Sequence, residues 1–124
     1  MAWIVDGMNV IGCRPDGWWR DRHHAMAALV GRLERWARRE GADVTVVFER
    51  PPSPPIESAD VTVAYAPAAA PNSADDEIIR MIRADAHPEQ IWVATSDRGL
   101  AERARSAQAT VVPAATLRDM IDPR

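Results

Sequence analysis

Residues 1–12 read MAWIVDGMNVIG: five apolar residues, an abrupt stop at Asp6, a glycine directly behind it, and Asn9 three places on. An uninterrupted apolar run of this kind reads as a short strand buried on both faces, as strands of parallel sheets are. No helix is expected directly at Asp6, which leaves this acid without a capping role. A carboxylate at the end of a buried strand then asks whether other acids arrive at the same place.

The rest of the chain alternates between two periodicities. From Trp18 to Glu40, Met26, Leu29, Val30, Leu33 and Trp36 recur at helical spacing, arginines fill much of the remaining surface, and Gly41 stops the helix. DVTVVF (43–48) is β-branched and strand-like. RPPSPPIES (50–58) is too rich in proline for helix or central strand and reads as an irregular loop, either a disordered edge or a partner-binding loop. DVTVAYA (60–66) is a third strand, and PAAAPNS (67–73) a second breaker. ADDEIIRMIRADA (74–86) reads as helix, IWVAT (91–95) as strand, RGLAERARSA (98–107) as helix, ATVVPA (109–114) as strand and ATLRDMID (115–122) as helix. Strands alternating with helices predict an α/β fold, with a mainly parallel five-stranded sheet between helical layers. Right-handed crossovers and short connections make 3-2-1-4-5 a natural strand order. The first and fourth strands are then neighbours at the reversal point, where ligands of open α/β sheets bind.

The 124 residues are one domain's worth, 1–124, and the 47% apolar and 27% charged fractions are ordinary for a soluble protein. No apolar run approaches the ~20 residues of a membrane span, and no basic leader precedes the first strand, so a cytoplasmic protein is expected. Cys13 is the only cysteine, which excludes an internal disulfide and a thiolate zinc site. The net charge of −3 gives no global attraction to nucleic acid. All 15 basic residues are arginine, either from codon bias or because a planar fork of donors suits phosphate.

Under the expected strand order, the acids converge. Asp6 ends the first strand and Asp97 follows the fourth. Asp75 and Asp76 open the helix before the fourth strand, and Glu49 ends the second, one place further along the same edge. Like charges crowded together raise one another's pKa, and a hard divalent cation relieves that repulsion. Mg²⁺ or Mn²⁺, held by a few carboxylates and retained waters, suits such oxygens. The adjacent His23 and His24 lack the i, i+4 spacing of a zinc pair. The matching chemistry is hydrolysis at phosphorus. Each acid also has a plainer reading. Ser96 and Asp97 precede a helix and suit an N-cap; Ser73 with Asp76 has capping-box spacing; Asp75 and Glu77 complement a helix dipole. Asn9 either stabilises the turn after Gly7 or orients Asp6 or a bound water.

The segments IVDGMNVIG, PNSADDEIIRMI and WVATSDRGLAERA, in this order over nearly the whole chain, resemble the YacP-like branch of the NYN domain, within the PIN-like metal-dependent ribonucleases. The resemblance implies a PIN-like, Rossmann-like three-layer sandwich, a Mg²⁺ or Mn²⁺ site and cleavage of RNA. It assigns the first acidic motif to Asp6 with Asn9, the second to Asp75 with Asp76 as helper, and the third to Thr95, Ser96 and Asp97. Where the family's second strand commonly ends in a Phe-Asp-Gly type sequence, this chain has VFER: Glu49 keeps the charge on a longer arm and Arg50 adds bulk and positive charge.

Single-stranded RNA is held by arginines on phosphates and aromatics under unstacked bases. CRPDGWWRDRHH (13–24) offers Arg14, Arg20 and Arg22 with Trp18 and Trp19, on the edge that carries the acids; Arg50 and Arg98 are expected on the same rim. The plainer reading puts one tryptophan in the core, the other over the helix start, and Asp21 against nearby arginines. Trp3, Trp36 and Trp92 fall on core-facing positions. The sequence therefore predicts a metal-dependent endoribonuclease, with a non-catalytic RNA-binding module of the same fold as the alternative. A receiver or aspartyl phosphatase would need a partner lysine, and the chain has none. A nucleotide cofactor would need a glycine-rich phosphate loop after the first strand, also absent.

Overall fold

Neighbouring strand residues face opposite ways, and that alternation builds a three-layer molecule. In β1 (Ala2–Asp6), Trp3 and Val5 join one core while Ile4 joins the other. β2 (Asp43–Phe48) repeats the pattern, with Val44, Val46 and Phe48 on the first face and Val47 on the second. β3 (Val61–Tyr65), β4 (Ile91–Ala94) and β5 (Thr110–Val112) complete a five-stranded sheet of order β3-β2-β1-β4-β5 in which every pair is parallel. The expected order is the observed one. The computed structural model describes residues 2–67, 70 and 72–122, so residues 68, 69 and 71 of the predicted 67–73 breaker lie outside the described residues.

The first face is covered by α1 (Gly7–Gly12), α2 (Arg22–Glu40) and α5 (Ala114–Ile121), the second by α3 (Ser73–Ala84) and α4 (Arg98–Ser106). On the first face Trp3 meets Trp36 edge-on, centroids 5.2 Å apart, and lies tilted against Trp92 at 5.3 Å. Such aromatic pairs add about 0.5–1.5 kcal/mol each beyond the area they bury. Trp3 and Trp36 are buried in this core, and Trp92, half-buried, packs against it. Among the described residues no helix is long and apolar enough to cross a membrane.

Three local readings are corrected. A helix does begin directly at Asp6: α1 follows it at once. Two glycines and an asparagine in six residues carry little helical propensity, so nothing local announces it. It forms because Val10 and Ile11 are fully buried against the first face. The predicted 18–40 helix is divided: Trp18–Arg20 is a 3₁₀ turn, and Asp21 caps α2 by accepting from the His24 N–H at 3.0 Å instead of pairing with arginines. The Ser73–Asp76 capping box is absent as well. Asn72 occupies the cap position in left-handed conformation, while Ser73 Oγ is buried with no hydrogen-bond partner among the described residues.

The link from β2 to β3 is unusual for parallel strands, which normally cross over through a helix. Here residues 49–60 make the crossover as irregular chain. It runs over the α2 side: Ile56 packs against the first core, and His23 Nε2 lies 2.8 Å from the Pro54 carbonyl oxygen.

Candidate active site at the carboxyl edge of the sheet

Strand parity aims the acids. Asp6 shares the face of Ile4, which packs beneath α3 and α4. Asp75 lies in the first turn of α3, and Asp97 is the N-cap of α4. Asp6 is therefore turned toward the layer that carries both of its partners, at the point where β1 continues to one face of the sheet and β4 to the other.

Asp6 is 7% exposed. Burial pushes its carboxyl up to about 6; a hydrogen bond from Thr95 works against this, and the charges of Asp75, Asp97 and Glu49 add to it. Asp75 is likewise raised, first by burial, then by Asp97, with Asp76 and Glu49 adding and Arg103 opposing. Four acids from four segments of chain thus share one field. Asp76, the fifth acid of the predicted cluster, turns aside to Arg103, 2.9 Å away.

Two hydrogen-bond chains fix this edge. Thr95 Oγ1 donates to Asp6 Oδ2 at 2.8 Å and accepts from the Asp97 N–H at 3.1 Å, while Asp97 Oδ1 accepts from the Leu100 N–H at 2.9 Å. Asp97 is therefore both the helix cap and a member of the acidic cluster. The Ser96 N–H donates to Asn9 Oδ1 at 2.8 Å, and Ser96 Oγ accepts from the Ala114 N–H at 2.9 Å. Asn9 thereby ties α1 to the loop after β4: it orients the third motif and is no simple turn former. Replacing Thr95 by valine removes the hydroxyl at constant shape. The expected result is a further rise in the Asp6 pKa and a loss of about 1–2 kcal/mol from the orphaned Asp97 N–H, measured by NMR titration and urea melts.

The donor set is hard oxygen throughout, without sulfur or imidazole. Among the described residues no three such side chains stand close enough to form a ready-made metal cage. That arrangement fits a cation that keeps several of its own waters and takes only a few carboxylates, as Mg²⁺ does. Asp6 Oδ1, Asp97 Oδ2 and the carboxylate oxygens of Asp75 and Glu49 accept no hydrogen bond among the described residues.

The predicted RNA contacts divide. Arg50 and Arg22 line a cleft that also contains Glu49, and Arg98 lines another beside Thr95 and Ser96. Both flank the acids. Arg14 is committed elsewhere, paired with Asp119 and Asp122 of the chain's end, in a network with buried Arg118. Trp18 packs on the first core beside Gly12, with the Arg22 guanidinium 5.2 Å from its ring centroid; Trp19 and Arg20 stand exposed on the same turn. Arg103 was not foreseen, nor was His23 as an anchor of the crossover. Each acts through a residue far away in sequence, and no spacing rule reaches that far.

A family profile described as the YacP-like NYN domain matches residues 3–123. Two crystal structures of Rae1 (YacP) from Bacillus subtilis, one of a point mutant, superpose with TM-scores of 0.78 and 0.79 at 25% identity. The matches cover 97% and 96% of this chain, and 73% and 74% of theirs. No curated protein matches. With its five-stranded nuclease-type fold and three acidic motifs in order, the chain belongs to the YacP-like NYN domain family.

Proposed function

We propose that the protein is a metal-dependent endoribonuclease that hydrolyses phosphodiester bonds of single-stranded RNA, acting in the cytoplasm. The observation that carries the reading is Asp6. It is a buried carboxylate at the sheet's reversal point, its pKa pushed up to about 6 by burial and by the charges of Asp75, Asp97 and Glu49.

Asp6, Asp75 and Asp97, with Glu49 beside them, would hold Mg²⁺ or Mn²⁺. The ion would supply a water of lowered pKa and neutralise charge on the phosphoryl oxygens. Thr95 holds Asp6, and Asn9 holds the backbone of Ser96, so the acids keep their places as substrate arrives. Arg98 on one side and Arg22 with Arg50 on the other attract the phosphates that flank the cut. An ionised carboxylate of the cluster accepts the proton of the attacking water.

A second reading, RNA binding without cleavage, is favoured by one observation: the absence of a preformed carboxylate trio among the described residues. Labelled single-stranded RNA incubated with the protein in Mn²⁺, Mg²⁺ or EDTA decides between the two. Metal-dependent fragments that disappear in both Asp6→Asn and Asp97→Asn are expected. RNA bound but uncut, by a protein whose melting temperature no metal shifts, establishes the second reading and removes the first.

A further inference from the structure

Beside the acids, on the β2 side, lies a cleft of about 350 Å³ whose apolar residues have no part in the hydrolytic chemistry. That is the lower end of the ~300–1,000 Å³ range of ligand pockets. Met8 and Met26 form its floor, with the buried ring of Phe48 behind them, and Arg22, His23 and Arg50 stand round its rim. We propose that this cleft receives one unstacked base of the RNA, the base of a nucleotide next to the scissile phosphate. The inference rests on the ribonuclease reading and deepens it.

Four observations bear it. The first is position. Glu49 belongs both to the cleft and to the field around Asp6 and Asp75, and Met8 is two residues beyond Asp6. Strands β1 and β2 are neighbours, about 4.8 Å apart. A nucleotide with its phosphate at the acids therefore has the cleft within a base's reach.

The second is the chemistry of the floor. Thioether side chains are polarisable, make favourable contacts with aromatic faces and adapt to any of the four bases. A concave apolar floor inside a charged rim suits an aromatic group carrying a phosphate.

The third is charge. Arg22 and Arg50 both line the cleft and, like Arg20, Arg35, Arg83, Arg98 and Arg105, pair with no carboxylate among the described residues. Two cations without a carboxylate partner, Arg22 resting on the Trp18 ring and Arg50 on the crossover, complement a nucleotide beside an apolar hollow and oppose an apolar protein segment.

The fourth is the wall. Pro51 and Pro52 close the cleft on the crossover side, and the contact of His23 with Pro54 holds that crossover against α2. Proline limits the freedom a wall loses when a ligand arrives. The proline-rich segment thus gains a role as one side of a preformed subsite.

The test is equilibrium binding of a fluorescein-labelled single-stranded RNA, in Ca²⁺ to prevent turnover, against copies carrying one abasic ribonucleotide at successive positions. The cut position is mapped on the intact RNA with Mn²⁺. The wild type is expected to lose affinity about tenfold at one position adjoining the cut, and little elsewhere. In Met26→Ala that penalty should fall below about twofold. Arg50→Ala, on an exposed loop, should weaken the intact RNA severalfold with its melting temperature unchanged. A penalty equal at every position, or one that Met26→Ala leaves intact, overturns the pocket while leaving the nuclease reading standing. Protein that neither binds nor cuts RNA overturns both. A cleft that instead captures proline-rich or acidic peptide in competition with RNA assigns this surface to a protein partner and removes the base-binding role.

Discussion

Asp6→Asn is expected to abolish cleavage and, without metal, to make the protein more stable. The loss of activity should be at least about 100-fold, since the variant keeps the shape of the side chain while giving up both its charge and its capacity to take a proton. The gain in stability follows from the same burial. The folded state raises the Asp6 carboxyl from 3.8 to about 6, so it binds the proton more tightly than the unfolded chain does. Whatever stability this group contributes is therefore complete below pH 3.8 and is lost as pH rises through about 6. At neutral pH the ionised group costs about 2–3 kcal/mol. Asparagine is neutral at every pH and still accepts from Thr95 Oγ1. The variant should match wild type at pH 3.5 and melt on the order of 8 °C higher at pH 7.5. Calorimetry at the two pH values in EDTA reads this directly. Equal melting temperatures at pH 7.5 would show that Asp6 sits at no electrostatic cost, and the argument for a functional acid would lose its support.

Gly7→Ala is expected to be the most damaging single methyl in the molecule. A Cβ at this position would stand 2.5 Å from Phe48 Cε1, 2.7 Å from Cδ1 and 3.1 Å from Val46 Cγ2. The Phe48 ring is 1% exposed and cannot swing away, so backbone or ring must be displaced within a close-packed face. Overpacking of this kind costs roughly 1–3 kcal/mol and more where nothing can yield, and a loss of about 3 kcal/mol is expected in urea melts. Because Gly7 adjoins Asp6 and starts α1, the displacement also moves the Asp6–Thr95 and Asn9–Ser96 links. A Gly7→Ala/Phe48→Leu double variant should recover part of the stability, since the smaller side chain vacates the colliding atoms. A Gly7→Ala protein within 0.5 kcal/mol of wild type would mean that the helix and the ring are not held in contact. Here the glycine serves close approach: α1 can enter directly from the sheet only if nothing stands between its first turn and Phe48.

Much of this was legible from residues alone. The alternation of β-branched runs with 3.6-period segments gave five strands and the helices between them. Apolar periodicity is a local consequence of which face a residue must bury. Strand order followed because the handedness and shortness of connections leave few alternatives. The acids at the ends of β1 and β4 were visible because a charge where a buried strand stops is out of keeping with its surroundings.

Other features belong to the tertiary structure. Helix α1 has no local signal. Gly7, Asn9 and Gly12 disfavour it, and it is held by the burial of Val10 and Ile11. The field at Asp6 depends on Asp75, Asp97 and Glu49 arriving from positions 43 to 91 residues away, and on Thr95 supplying the opposing hydrogen bond. Of the arginines expected on RNA, Arg14 went to the chain's carboxyl-terminal end, because Asp119 and Asp122 come within reach only once α5 packs beside α1. The proline-rich segment read simply as irregular; that it folds back over α2 and walls a cleft beside the acids is settled by His23 meeting Pro54. Sequence determined which residues are apolar, which are charged and where the chain must turn, since these are properties of single residues and their near neighbours. Folding decided which charges meet, because Coulomb attraction and desolvation depend on distances that no interval along the chain encodes.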